Sequence, residues 1–152
     1  MKLDILAFGA HPDDIELGCG GTLIKHISSG NKVGIIDFTT GDLGTRGSSE
    51  ITLNEAQNAA NLMGLSIREN LNFKDGFFQN DDAHKKALIK MIRKYQPEIV
   101  LTNAPSDRHP DHGRASQLTI DACFLSGLEK IDTNQDVWRP KAIYLSLIHI
   151  SE

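Results

Sequence analysis

The chain has 152 residues, of which 39% are hydrophobic and 24% are charged, a composition typical of a folded globular domain. Its 16 basic and 20 acidic residues give a formal net charge of -4 and form no basic stripe, which argues against nucleic acid as a partner. No segment is apolar enough to cross a bilayer, so we expect no membrane span and a cytoplasmic location. The two cysteines, Cys19 and Cys123, are too few for a secreted disulfide framework, and we expect both to be reduced.

Strand-like and helix-like segments alternate along the chain. The predicted strands cover residues 3–8, 33–38, 71–73, 98–102 and 141–148, and the predicted helices cover residues 15–29, 50–63, 81–95 and 111–125. Short apolar runs closed by glycine or polar residues indicate the strands, and apolar residues spaced three or four apart indicate the helices. Because strands joined by helices pair in parallel, the alternation predicts an α/β, Rossmann-like fold with a mostly parallel sheet and helices on both faces.

Two similar polar motifs follow the first and the fourth predicted strands. Residues 10–14 read AHPDD, and residues 107–112 read DRHPDH. In a doubly wound sheet the strand order reverses between these two strands, and the loops at their carboxyl ends open onto one crevice, the usual ligand site. We therefore expect the two motifs to lie together although they are far apart in the sequence.

The residue types of the first motif suit zinc, which binds imidazole and carboxylate groups and uses three protein ligands plus water in catalytic sites. Pro12 can begin a helical turn, because the first helical position needs no donor. In such a turn His11 and Asp14 are three residues apart and share a face. Asp13 then points elsewhere and is free to act as a base.

The second motif supplies the remaining groups. His112 is the third predicted ligand, from across the crevice, and His109 can face the same cavity. A single His or Asp at a strand end is more often a cap or a loop hydrogen bond, and Asp13 or Asp14 could simply favour a helix N-terminus by charge. Two His-Pro-Asp tripeptides after two central strands make that alternative much weaker.

A glycine-rich loop, residues 41–47 (GDLGTRG), leaves the second predicted strand at the same rim. The guanidinium group of its Arg46 can donate paired hydrogen bonds to hydroxyl or carboxylate oxygens of a substrate. From the residues alone, a solvated surface arginine is an equally good interpretation. The glycines at residues 18–21 match neither the dinucleotide fingerprint nor the P-loop pattern, which argues against a nucleotide site.

Together, AHPDD, the GxxGTRG loop and DRHPDH resemble the LmbE-like, N-acetylglucosaminylphosphatidylinositol de-N-acetylase superfamily. The likeness runs from Met1 to about Tyr144. Within it, the stretches GDLGTRGSSE, DGFFQND, DRHPDHGRAS, DACFLSGLEKI and WRPKAIY resemble the branch that acts in bacillithiol biosynthesis. Members of that branch remove the acetyl group from N-acetylglucosaminyl malate.

The resemblance implies three ligands for Zn²⁺, with Fe²⁺ as the alternative metal: His11, Asp14 and His112. It implies Asp13 as the general base. His109 corresponds to the group that assists the tetrahedral intermediate, with Asp111 as its charge partner. Arg46 matches the substrate-binding arginine of the family.

We therefore predict a metal-dependent N-deacetylase of a small amino-sugar substrate, an N-acetylglucosamine conjugate. In the predicted mechanism the metal activates water, Asp13 accepts its proton, protonated His109 helps to stabilise the oxyanion, and one of these two residues protonates the leaving amine. The alternatives are a deacetylase of another N-acetylglucosaminide and a metal- or sugar-binding module without catalysis, which needs neither Asp13 nor His109. A nucleotide-binding domain is disfavoured.

Members of the superfamily usually continue well beyond the WRPKAIY stretch, and residues 145–152 do not resemble that continuation. We therefore expect residues 1–152 to form a single deacetylase domain that lacks its C-terminal part. The sequence leaves the oligomeric state open, a homo-oligomer included.

Overall fold

The computed structural model describes residues 1–45 and 47–146. Strands and helices alternate along these residues in the order β1 (Ile5–Gly9), α1 (Asp14–Ser28), β2 (Val33–Asp37), α2 (Ser49–Met63), β3 (Ile67–Asn70), α3 (Asp82–Tyr95), β4 (Ile99–Asn103), α4 (Pro110–Leu125) and β5 (Ala142–Ser146). All the strands pair in parallel in one sheet of order β3-β2-β1-β4-β5. The predicted α/β, Rossmann-like architecture is confirmed, and β1 and β4 are neighbours.

Successive residues of the strands pack on opposite faces of the sheet. On one face, Phe8 of β1 packs in a cluster with Ile92 of α3 and Leu118 of α4. On the other face, Ala7 of β1 packs in a cluster with Leu23 of α1. Burial of each large apolar side chain contributes roughly 1.5–3 kcal/mol, so these two layers hold the central strands firmly in place. The prediction of helices on both faces is confirmed.

The third strand was predicted wrongly. It was expected at residues 71–73, but the structure has it at Ile67–Asn70, on the edge of the sheet. An edge strand needs no continuous apolar run, and polar Arg68 in this strand concealed it. Leu71 and Phe73, which prompted the prediction, follow the strand and pack against the core from irregular backbone.

The other predicted boundaries differ from the observed ones by at most two residues. Residues 147 and 148 of the last predicted strand lie outside the described residues. Helix α1 runs through its glycines with a kink at Cys19. In the part of the chain that the structure describes, no helix combines the length and the apolar character that a membrane crossing requires.

Candidate active site

The AHPDD motif carries the chain from β1 into α1. Asp14 is the first residue of the helix, and Asp13 precedes it with a left-handed backbone (φ 99°), which is uncommon for a residue with a side chain. The Asp14 N–H donates to the carbonyl oxygen of His11 at 3.2 Å and closes a turn around Pro12. Pro12 therefore lies before the helix rather than in its first turn, but His11 and Asp14 meet as predicted.

The DRHPDH motif begins α4. His109 is the N-cap, and its Nδ1 accepts a hydrogen bond from the N–H of Asp111 at 3.1 Å. Pro110 is the first helical residue, where a missing N–H costs nothing. His112 follows in the same helical turn, so the motif presents two imidazoles at the carboxyl edge of the sheet.

The three predicted metal ligands lie together. Asp14 Oδ2 is 3.2 Å from Nε2 of His112 and 3.5 Å from Nδ1 of His11. A ligand atom from each residue lies within 4.8 Å of the others. Asn103, at the end of β4, donates from Nδ2 to Asp14 Oδ2 at 3.1 Å and holds the carboxylate in this position. Two imidazoles and one carboxylate form a ligand set that catalytic zinc sites use.

The outward ring nitrogens of both histidines are held by carboxylates. His11 Nε2 donates to Asp111 Oδ2 at 2.9 Å and to Asp75 Oδ1 at 3.1 Å. His112 Nδ1 donates to Asp107 Oδ2 at 2.6 Å. Such a carboxylate sets the tautomer and the orientation of a metal-binding histidine. In the neutral form of each ring, the inner nitrogen therefore carries the lone pair that a cation would bind in place of a proton.

The charges of the site favour a cation at this centre. Burial alone would lower the pKa of His11, but hydrogen bonds and negative charge from Asp14, Asp111 and Asp75 outweigh burial and raise the pKa to about 9. Burial alone would raise the pKa of Asp14, but His11 and His112 lower it well below its usual value. Because the surrounding carboxylates stabilise positive charge here, the residues fit a divalent metal ion.

Asp13 has a different environment from the adjacent Asp14. Its side chain lines the cavity beside the centre and, among the described residues, takes no part in capping α1. Partial burial and the nearby negative charges of Asp14 and Glu16 raise its pKa to about 6. A carboxylate with this accessibility and pKa is suited to accept a proton near neutral pH.

His109 lies against both metal-site imidazoles, with ring centroids 4.6 Å from His11 and 5.0 Å from His112. Burial and the positive charge of His11 lower its pKa. Because its Nδ1 accepts a hydrogen bond, the ring is neutral with its proton on Nε2. This differs from the protonated His109 of the mechanism predicted from the sequence.

Asp111 is fully buried at the start of α4. Its Oδ2 accepts hydrogen bonds from the N–H of Gly76 at 2.9 Å and from His11, and its Oδ1 accepts from Nη2 of Arg114 at 2.5 Å. The hydrogen bond between Asp111 and His109 involves the Asp111 backbone. The role of Asp111 as the charge partner of His109 stays a prediction, and the contact between its carboxylate and His11 was not anticipated.

A cavity of about 590 Å³ opens beside the candidate metal centre. His11, Asp13 and His109 are among its lining residues, as are Glu16 of α1 and Glu55 of α2. Gly41, Leu43 and Gly44 of the glycine-rich loop also contribute to the lining, as expected for a substrate loop. The volume lies within the usual range for small-molecule sites. Arg46, the predicted substrate-binding residue, lies outside the described residues.

The sequence-based search missed several residues that hold this site together: Asp75, Asn103, Asp107 and Arg114. Asp107 lies within the DRHPDH motif, and Asn103 is a polar residue at the end of a central strand. The sequence therefore contained enough to identify both as candidate site residues. Asp75 offered only an Asp-Gly pair in a loop, with nothing to link it to His11.

A model of the family PIG-L, GlcNAc-PI de-N-acetylase, matches residues 6–123, which include both motifs. The chain belongs to the PIG-L family. This confirms the LmbE-like resemblance and identifies the family as one of deacetylases. Assignment to the bacillithiol branch stays a prediction.

Three relatives illustrate the relationship. The uncharacterized deacetylase YaiS of Escherichia coli is 39% identical over an alignment of 126 residues that covers 78% of this chain and 67% of that protein. Diacetylchitobiose deacetylase of Thermococcus kodakarensis is 33% identical over an alignment of 135 residues that covers 82% of this chain and 50% of that protein. The crystal structure of the conserved protein TT1542 from Thermus thermophilus matches with a TM-score of 0.91 and 36% identity, covering 99% of this chain and 69% of that one. The chain thus spans about half to two thirds of these relatives.

Proposed function

We propose that this chain forms the catalytic part of a zinc-dependent hydrolase that removes the N-acetyl group from an N-acetylglucosamine conjugate. The observation that carries the proposal is the meeting of His11, Asp14 and His112 beside Asp13, which faces the cavity. Membership of a deacetylase family supports the reaction. The diacetylchitobiose deacetylase of T. kodakarensis supports an N-acetylated amino sugar as the substrate class.

In this proposal Nδ1 of His11, Oδ2 of Asp14 and Nε2 of His112 would hold the metal. Zn²⁺ is the preferred ion and Fe²⁺ is the alternative, since mixed imidazole and carboxylate ligands suit both. When bound, the ion supplies Lewis acidity, which lowers the pKa of water and polarises the acetyl carbonyl. Asp75, Asp107 and Asp111 keep the two imidazoles in the required orientation.

The remaining steps belong to side chains of the cavity. Asp13 accepts the proton of the attacking water and returns it to the leaving amine, because its raised pKa suits both directions of transfer. His109 donates its Nε2–H to the oxygen of the acetyl group as negative charge develops there. The sequence left open whether Asp13 or His109 protonates the amine, and the lowered pKa of His109 favours Asp13.

The finer proposal for the substrate is N-acetylglucosaminyl malate, with Arg46 binding the malate carboxylates. The variant Arg46→Lys keeps the charge but loses the planar fork, so it should weaken substrate binding more than it changes metal content. The Michaelis constant for an acidic amino-sugar substrate measures this effect. An unchanged constant would remove Arg46 from the site.

Metal analysis of the purified protein, followed by an assay of acetate release, tests the proposed function. The substrates are N-acetylglucosaminyl malate and diacetylchitobiose, so that an acidic and a neutral conjugate are compared. We expect one zinc per chain and acetate from at least one substrate. Bound zinc without acetate from either substrate would support the non-catalytic module instead.

A further inference from the structure

A buried ion network reaches the cavity through one of its members, Glu16. Arg68, on the edge strand β3, donates through Nε and Nη2 to the two oxygens of Asp37, at 2.9 and 3.0 Å. The same guanidinium pairs with both oxygens of Glu16, at 3.0 and 3.1 Å. It also donates to the carbonyl oxygen of Ala56 in α2 at 3.5 Å. Arg68 thus joins β2, α1 and α2 at one point.

The three side chains of this network differ in exposure. Arg68 is 3% exposed, Asp37 is 2% exposed and Glu16 is 24% exposed. Burial raises the pKa of Asp37 to about 6 against the opposing effect of Arg68, so Asp37 is still largely ionised at neutral pH. Two carboxylates around one guanidinium leave one excess negative charge. Glu16 is the member that presents this charge to the cavity.

Stability is a weak explanation for such a network. Buried ion pairs add little to stability compared with apolar side chains, because desolvation offsets their attraction. Glu16 lies in the first turn of α1, three residues after Asp13, and both carboxylates line the same cavity. The position of Glu16 relative to the candidate base points to a role in binding the substrate.

The charge of the lining indicates which ligand groups Glu16 can meet. Apart from the histidines, the charged side chains that line the cavity within residues 1–45 and 47–146 are carboxylates: Asp13, Glu16, Glu55 and Asp75. The malate carboxylates of the proposed substrate would be repelled by Glu16 and would lie away from it, whereas a hydroxyl group of the sugar can donate a hydrogen bond to this carboxylate. The ring of an amino sugar carries several hydroxyl groups of this kind.

We propose that Glu16 binds hydroxyl groups of the sugar ring and that Arg68, anchored by Asp37, is a positioning residue for the Glu16 carboxylate. The proposal rests on the proposed function, since it concerns the same cavity. Oε1 of Glu16 accepts a hydrogen bond from Arg68 Nη2, Oε2 lies 3.0 Å from Nη1, and both oxygens keep a lone pair for the sugar. The paired contact with the guanidinium holds the carboxylate plane in one orientation.

The first experiment uses Glu16→Gln, which keeps the size of the side chain and removes its charge. Calorimetry gives the Kd of the metal-loaded protein for N-acetylglucosamine, and acetate release gives KM and kcat. We expect Kd and KM to rise about tenfold with metal content unchanged, since a charge-assisted hydrogen bond is weakened, while kcat should change only as far as loss of the Glu16 charge lowers the pKa of Asp13. Glu129→Gln, on an exposed loop away from the cavity, is the matched control and should change none of these values. An unchanged Kd in Glu16→Gln overturns the proposal.

The second experiment separates positioning from a merely structural role. Arg68→Lys keeps the positive charge but loses the planar guanidinium group that contacts both oxygens of Glu16, so the Kd for N-acetylglucosamine should rise about fivefold. In the double variant Glu16→Gln/Arg68→Lys the Kd should be close to that of Glu16→Gln alone, because Arg68 acts through Glu16. Effects that multiply would overturn the positioning role. If Arg68→Lys fails to fold, Asp37→Asn replaces it in the same cycle with the same expectation.

Failure of this proposal can be distinguished from failure of the proposed function. Acetate release by the unaltered protein, with sugar affinity that does not depend on Glu16, would reject the role of Glu16 and retain the deacetylase. Sugar affinity that depends on Glu16, without acetate release from any conjugate, would retain the role of Glu16 and reject the deacetylase.

Discussion

The tripeptide His-Pro-Asp occurs twice at the rim of the sheet, at residues 11–13 and 109–111, and the two copies sit differently on the helices that follow. After β1 the helix begins at Asp14, beyond the tripeptide. After β4 the helix begins at Pro110, inside the tripeptide. The start of the helix is therefore shifted by two positions relative to the same three residues.

This shift gives the two aspartates opposite environments. Asp13 faces the cavity and has a raised pKa, whereas Asp111 is fully buried, bonded to Arg114, and has a lowered pKa. In both copies the residue directly after the tripeptide, Asp14 or His112, points to the candidate metal centre. The comparison teaches that the position of the helix start and the neighbouring side chains, rather than the motif itself, assign each residue its role.

The largest expected effect concerns the residue after each tripeptide. Asp14→Ala and His112→Ala should each abolish metal binding and acetate release together, since either change leaves two of three ligands. The measurement is zinc content at micromolar metal, with activity assayed on the same samples. Full zinc occupancy in either variant would show that the altered residue is not a metal ligand, so that the residues after the two tripeptides have different roles.

Asp13→Asn should keep zinc and lower turnover by about 10²–10⁴-fold, because a positioned proton-transfer group is lost while the ligands remain. Asp14→Asn is the control, because it changes the adjacent carboxylate and should lose metal first. The acidic limb of the pH profile should also change in Asp13→Asn, since a titrating base has gone. Equal zinc loss in the two variants, or an active Asp13→Asn, would contradict the assignment of base and ligand.

Asp111→Asn should lower zinc affinity and leave turnover at saturating zinc largely intact, the reverse of what is expected for Asp13→Asn. The change weakens the hold on His11, so zinc affinity should fall by about 10–100-fold, and activity should recover when zinc is in excess. Asp107→Asn is the matched variant, because Asp107 holds His112 in the same manner. Metal titration monitored by activity checks both. If Asp111→Asn kept its zinc affinity and still lost turnover, Asp111 would act on His109, as the family resemblance implies.

The smallest expected effect is on folding, measured on metal-free protein. His109→Ala removes the N-cap contact of α4 and should lower the free energy of unfolding by about 0.5–2 kcal/mol. Asp13→Gly should not lower it, because Asp13 has a left-handed backbone that glycine adopts more easily. Urea unfolding of the two variants decides the point. A similar loss in both would mean that the two tripeptides begin their helices in the same way.

Much of this site could be predicted from the sequence, because the order of strands and helices determines which strand ends meet. Apolar runs and helical spacing identify the alternating elements, and right-handed crossovers then bring the ends of β1 and β4 to one crevice. His11, Asp14 and His112 could be placed together because each lies within a few residues of one of those strand ends or on the first turn of the following helix. The same argument placed Asp13 and His109 at the cavity.

Only the tertiary structure decided the contacts between segments that no periodic pattern links. The edge strand β3 was concealed by polar Arg68, which is buried because Asp37 and Glu16 approach it from two other elements. Asp75 reaches His11 from a loop far along the chain, and Asp111 turns its carboxylate to His11 as well as contacting His109 through its backbone. Hydrophobic periodicity reports which face of an element is buried, but the partner of a buried polar side chain depends on where distant segments meet.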